Sequence, residues 1–253
     1  MKNRLYLATF SADAIELIKK YNINMEYNHP CISSCLDDLD KITYEMKRDF
    51  MDSKAKKAIV HGPFTEIIPA SIDPRAIKLG LERLNEAYEV AKRVECNRMV
   101  VHTGYVPLLY FKKWHIEKSI EFWQKFLEDK PKDFGIYIEN VFDDEPYTLK
   151  EIIDNIDDKR VRVCFDIGHA NAMTEKNIKI EEWIEVLGPY ISHLHIHNNY
   201  GKTDEHNDIF DGNMDVLKII STIDEMCVVK PTITIESHRA IEMLEVLLSG
   251  NKY

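Results

Sequence analysis

The densest chemistry in the chain lies in Ile191–His206 (ISHLHIHNNYGKTDEH). His193, His195 and His197 alternate with Leu194 and Ile196, the period of a strand with one imidazole face and one aliphatic face. A buried ring needs a hydrogen-bond or metal partner, so three on one face are costly in an ordinary strand. Asp204 and His206 follow in the next loop. Imidazole and carboxylate in close succession are the donors that a borderline divalent cation such as zinc prefers. The bland alternative is a polar strand end with solvated histidines.

The same residue types recur at the ends of other short apolar runs. His61 closes Ala58–His61, His102 closes Met99–His102, and Glu139 closes Gly135–Glu139. Asp166 ends Val161–Asp166 with His169 three residues on, and Glu236 ends Thr232–Glu236. Each has an ordinary reading by itself: a hydrogen-bonded strand end for the histidines, an arginine partner for the glutamates, a turn cap for Asp166. Together they form a set of ligands, provided that one fold brings the strand ends to one place.

The intervening segments supply such a fold. Apolar runs beginning with Leu5–Ala8 and Ile23–Tyr27 alternate with helical patterns, eight times in all. The helices are expected at Ser11–Lys20 (capped by Ser11), Cys35–Lys54, Arg75–Val94, Trp114–Glu128, Pro146–Ile156, Ile180–Leu187, Asn213–Met226 and Arg239–Leu248. The segment after Asp166 reads as an irregular loop. Eight right-handed strand–helix units close most simply into a (β/α)8 TIM barrel, read as a single domain over residues 1–253. An open doubly wound sheet lacks support, because no glycine-rich turn follows the first strand. In strands six and eight the aliphatic faces (Val161, Val163, Phe165; Ile233, Ile235) must meet the helices. That turns Asp166 and Glu236 towards the barrel axis and the C-terminal mouth, where barrel active sites are built.

Composition narrows the partners. A chain of 253 residues with Lys+Arg 33, Asp+Glu 43 and a formal charge of −10 is no generic nucleic-acid or anionic-membrane binder. Cys31, Cys35, Cys96, Cys164 and Cys227 show no framework spacing, which suits free thiols in a reducing, cytoplasmic setting. No leader-like segment and no apolar run near the roughly 20 residues of a membrane span is visible.

The chain resembles the xylose isomerase-like barrel superfamily, and within it the endonuclease IV (AP endonuclease family 2) type. The resemblance is carried by Val60–Phe64 (VHGPF), Val101–Gly104 (VHTG), Ile138–Asn140 (IEN), Phe165–His169 (FDIGH), His195–Asn198 (HIHN), Asp204–His206 (DEH) with Asp211–Asn213 (DGN), and Ile235–Ser237 (IES). It implies a trinuclear zinc site formed by His61, His102, Glu139, Asp166, His169, His195, Asp204, His206 and Glu236, with manganese as the other metal. His195 is chosen as the strand-seven ligand over its neighbours, His197 being the main alternative. The implied activity is phosphoester hydrolysis, with Glu139 bridging cations and Glu139 and Glu236 as the catalytic carboxylates. The second function is a sugar or sugar-phosphate isomerase or epimerase, which needs only Glu139, Asp166, His195 and Glu236 around one ion and moves a proton between the glutamates. An abasic-site DNA backbone is one substrate of the first kind, with Phe64 and Tyr105 as candidate wedges. Lys112 and Lys113 are an isolated pair rather than a basic track, which favours a smaller phosphoester. Arg239 is read as a helix-start residue or a phosphate contact.

Overall fold

A computed structural model of the protein describes residues 1–249, four short of the end of the expected domain. Eight parallel strands form a closed barrel in chain order: β1 Leu5–Ala8, β2 Asn24–Tyr27, β3 Ala58–His61, β4 Arg98–His102, β5 Gly135–Glu139, β6 Val161–Asp166, β7 Ile191–Ile196 and β8 Thr232–Ile235. β8 pairs with β1 through Leu5 and Ile233, which closes the ring. The surrounding helices are α1 Ala14–Tyr21, α2 Leu39–Ser53, α3 Pro74–Arg93, α4 Lys112–Leu127, α5 Pro146–Ile156, α6 Ile167–Met173, α7 Ile180–Leu187, α8 Val216–Met226 and α9 Ile241–Ser249. The expected TIM barrel is therefore the fold.

The alternation within strands sorts side chains as expected. Phe165, on the outward face of β6, stacks on Trp183 of α7 at 5.8 Å between ring centroids. Val161 and Val163 join it in the buried layer between barrel and helices, with Trp123, Phe126 and Leu149. Burial of these large side chains contributes roughly 1.5–3 kcal/mol each and holds the strands in register. Register then places donors from adjacent strands side by side: His102 opposite Glu139, and Asp166 opposite His195.

Several boundaries differ from the sequence reading. Ser11 does not cap α1; its hydroxyl donates to the Ser237 carbonyl at 2.6 Å and ties the first turn to the end of β8. The expected helix from Cys35 divides into a 3-10 segment, Ser33–Asp37, and α2, whose first turn is capped by Asp38 accepting from Lys41 N–H. α8 starts at Val216, after its Asp215 cap, rather than at Asn213. α9 starts at Ile241, so Arg239 precedes the helix. α4 starts at Lys112, whose ammonium is 2.6 Å from Asp144 and 3.2 Å from Glu145. That lysine is engaged within the fold.

The largest difference is α6, where a loop was expected. Asp166 caps it, accepting from His169 N–H at 2.7 Å through Oδ1. Gly168 makes the helix compatible with the site, because a Cβ there would lie 2.0 Å from His197 Cε1. Gly104, at φ +65°, turns the chain after β4; a Cβ there would lie 2.2 Å from the Ile67 carbonyl oxygen. Only glycine permits that approach of the two loops that wall the mouth.

Candidate metal centre

The nine expected residues meet at the C-terminal mouth of the barrel, where His61, His102, Glu139, His169, Asp204, His206 and Glu236 line a cavity of ≈ 840 Å³ and Asp166 and His195 are fully buried. Three sets of donor atoms, each within 4.8 Å, together hold all nine: His61, His102 and Glu139; Glu139, Asp166, His195 and Glu236; and His169, Asp204 and His206 with His197; a further set joins His61, His195 and Glu236 to Glu26. Glu139 joins the first two. Its Oε2 is 3.2 Å from His61 Nε2 and 3.4 Å from His102 Nε2, while Oε1 is 3.1 Å from His195 Nδ1 and 3.3 Å from His169 Nδ1. Asp204 joins the third, with Oδ2 3.2 Å from His169 Nε2 and 3.1 Å from His206 Nε2.

Orientation of the rings tests the fit to a metal. His61, His169 and His206 each turn Nδ1 to a backbone carbonyl, of Gly62 at 2.9 Å, Asn140 at 2.9 Å and Glu236 at 2.6 Å respectively. In each, Nε2 then faces a carboxylate across the site. A ligating histidine is normally held this way, with one nitrogen fixed by an acceptor and the other presented to the ion. Five buried atoms in these groups, Glu139 Oε1, Asp166 Oδ2, His195 Nδ1 and both ring nitrogens of His197, find no hydrogen-bond partner among the described residues. His195 Nδ1 is 3.1 Å from Glu139 Oε1, 3.4 Å from Glu236 Oε2 and 3.9 Å from Asp166 Oδ2. Ligands about 2.0 Å from a tetrahedral zinc stand about 3.3 Å apart. The donor types, spacing and orphaned atoms fit divalent cations.

Asp166 thus combines both readings of it: one oxygen caps α6, and the other is turned into the centre. His195 and His197 take different positions. His195 belongs to the central group, whereas His197 stacks on His206 at 4.0 Å and lies with the third group. His197 Nε2 is 3.2 Å from Asp166 Oδ1 without forming a hydrogen bond to it. Phe64, a candidate wedge, stacks on His102 at 5.1 Å and lines the cavity with Tyr105. Among the described residues, neither Arg239 nor any other arginine or lysine lines it.

Sequence reading missed Glu26, fully buried in the floor beneath the central group. It lies within β2 rather than at its end, and its partners, His193 and His195, are 167 and 169 residues away. No local spacing marks it.

Protons occupy this arrangement when cations do not. Burial opposes charge on His61, His169 and His195, yet Cys31 and then Glu139 beside His61, Asp166, Asp204 and Glu139 beside His169, and Cys164, Glu236, Glu26 and Glu139 beside His195 hold all three well above their usual 6.5. His206 reaches about 9; burial works against it, and Asp204, then Glu236, overcome that effect. Burial dominates for His102, which falls to about 3. Ligation requires neutral imidazole, so cations must displace protons from these four histidines. Titrating metal-free protein with zinc at pH 7 is expected to release several protons per chain, on the order of four, measured by calorimetry in buffers of different ionisation enthalpy. The sign for stability follows: His206 stabilises metal-free protein fully below 6.5 and loses that contribution as pH rises through 9. Metal-free protein should therefore melt lower at pH 9.5 than at pH 7, and loaded protein should lack this component.

Comparison with known proteins agrees with this fold. The family described as xylose isomerase-like TIM barrel matches residues 9–248. Two uncharacterised proteins of Methanocaldococcus jannaschii, MJ1311 and MJ1614, are each 31% identical, over 70% and 59% of this chain. The matched regions span 64% and 59% of those proteins, so the chain covers less than two thirds of these curated relatives. A D-tagatose 3-epimerase-like protein superposes with a TM-score of 0.78 at 26% identity, covering 97% of this chain and 96% of that one. The TTHB071 protein of Thermus thermophilus, soaked with zinc chloride, gives 0.77 at 20% identity over the full length of both chains. An AP endonuclease, family 2, from Brucella melitensis gives 0.72 at 14% identity, also over both full lengths. At such identities the last two show the fold alone. Among the described residues no helix is long and apolar enough to cross a membrane. The chain belongs to the xylose isomerase-like TIM-barrel family.

Proposed function

We propose that the chain is a divalent-metal-dependent phosphoesterase acting on a small phosphoester. The observation that supports this reading is the junction of three donor groups: Glu139 belongs to the first two, and its Oε1 lies 3.3 Å from His169 Nδ1 of the third. Proton transfer beside a carbonyl requires only the central group, and leaves His61, His102, His169, Asp204 and His206 without a role. In-line displacement at phosphorus uses several cations, which supply Lewis acidity for the phosphoryl oxygens and an acidified water. Within the chain, His61, His102 and Glu139 would hold one ion, Glu139, Asp166, His195 and Glu236 a second, and His169, Asp204 and His206 a third. Burial raises the Glu236 carboxyl above its usual range in the metal-free site, so a cation held there would displace its proton.

The cavity walls define the rest of the substrate. With no lysine or arginine in the lining, the metals alone must carry the phosphate charge. Phe10, Phe64, Tyr105 and Phe142 form aromatic sides suited to a compact organic group. A polynucleotide needs a run of cations along its backbone, which this wall does not offer.

An isomerase or epimerase is the second reading. It is favoured by the completeness of the central four-residue group and by the epimerase-like structure at 26% identity. Hydrolysis of p-nitrophenyl phosphate and its bis ester, alongside proton exchange into a panel of ketoses, separates the two. The phosphoesterase reading expects ester hydrolysis that falls about 100-fold or more in His61→Ala. Ketose exchange with wild-type rates in that variant, and no ester hydrolysis, would overturn it.

A further inference from the structure

The floor of the mouth contains a carboxylate that no part of the proposed reaction uses. Glu26 is fully buried, and both of its oxygens are engaged by residues of β7 and β8. Oε1 is 3.0 Å from His195 Nε2, and Oε2 is 3.1 Å from His193 Nε2 while also accepting from the Thr234 hydroxyl. His193 is held in turn by Thr232 Oγ1, 2.6 Å from its Nδ1, and its ring stacks on Tyr137 at 5.6 Å. A buried carboxylate is costly, and aliphatic packing at this layer would be cheaper.

His195 is oriented opposite to the three outer histidines. They fix Nδ1 on backbone carbonyls and present Nε2; His195 presents Nδ1, so its Nε2 must be fixed from below. There is no backbone carbonyl in that position, and Glu26 fills it. We propose that Glu26 is a positioning residue for the central cation: it accepts the Nε2 proton of His195, and so keeps the Nδ1 lone pair directed at the point shared with Glu139, Asp166 and Glu236. Without it, the tautomer with hydrogen on Nδ1 is favoured, because that hydrogen would face three carboxylates. The Glu26 charge also makes the imidazole a stronger donor to a cation. This inference rests on the metal-centre reading above, and its test separates the two.

The test is cobalt(II) binding to wild-type and Glu26→Gln protein, read from the visible d–d spectrum and from ions retained against a competing chelator. Glutamine keeps the shape and removes the charge. The expected result is one ion per chain held about 10- to 100-fold more weakly in E26Q, with the other ions retained as in wild type. Metal-free E26Q should melt lower than metal-free wild type, because a buried anion facing His193 and His195 is lost, so the selective change in cobalt affinity is the deciding readout. A purely structural Glu26 would lower the metal-free melting temperature and leave the cobalt affinities unchanged, which would overturn the proposal. Glu26→Met provides a second variant with no acceptor at all, in which the selective weakening should be at least as large. Wild-type protein that takes up no cobalt would overturn the metal centre itself along with this role for Glu26.

Discussion

Removing divalent cations with a chelator at pH 7.5 should lower the melting temperature of this protein by about 10 °C. Glu26, Glu139, Asp166 and Glu236 are all nearly inaccessible, and none of them faces a lysine or arginine in the cavity lining. Their charge is offset by cations or by protons borrowed onto histidines. An ion present at roughly 1,000 times its dissociation constant adds about 4 kcal/mol to the folded state. In a chain of this size each kcal/mol moves Tm by about 2–4 °C. Scanning calorimetry with and without chelator, followed by zinc add-back, measures the effect and its reversibility. A melting curve indifferent to chelator would mean that the carboxylates are neutralised by protons alone.

The second large effect is expected at Glu139. His61→Ala removes one donor from one group, but Glu139→Gln alters the carboxylate whose two oxygens face four histidines, at 3.1–3.4 Å. Glutamine is isosteric and offers one neutral oxygen in place of two anionic ones. The variant should retain the outer ion of His169, Asp204 and His206 and lose the other two. Ester hydrolysis should fall about 1,000-fold or more, the loss expected where charge stabilisation at the reacting centre is removed. Elemental analysis reads the first outcome and steady-state kinetics the second. The apolar layer around Trp123, Trp183 and Phe126 should keep the variant folded, while loss of the anion facing His61, His169 and His195 should lower the melting temperature of the metal-free form at pH 7.

Much of the centre is legible in the chain because a barrel converts sequence position into spatial position. His61, His102, Glu139 and Asp166 end strands, and Glu236 directly follows one; parallel strands in a closed ring point all those ends the same way. Period-two alternation then sets the inward face, as Phe165 against Trp183 confirms for β6. The same rule fails where a residue acts from inside the barrel. Glu26 sits among the short run Asn24–Tyr27 and looks like any charged residue in a strand until β7 and β8 are folded over it. α6 escaped notice for another reason: seven residues with a glycine and an asparagine show no apolar period, and the helix is set by the Asp166 cap and by contact with His197. The choice between His195 and His197 rests on two residues of register, which spacing alone leaves open. Only the return of Asp204 and His206 over the mouth assigns His197 to the outer group.

The decisive experiment is anomalous scattering from crystals grown with zinc, recorded on both sides of the zinc absorption edge. Three peaks are expected at the mouth: one beside His61 and His102, one among Asp166, His195 and Glu236, and one between His169 and His206, with Glu139 touching the first two. A single peak in the central group would contradict the phosphoesterase reading in favour of a one-ion isomerase, and no peak at all would contradict the metal centre altogether.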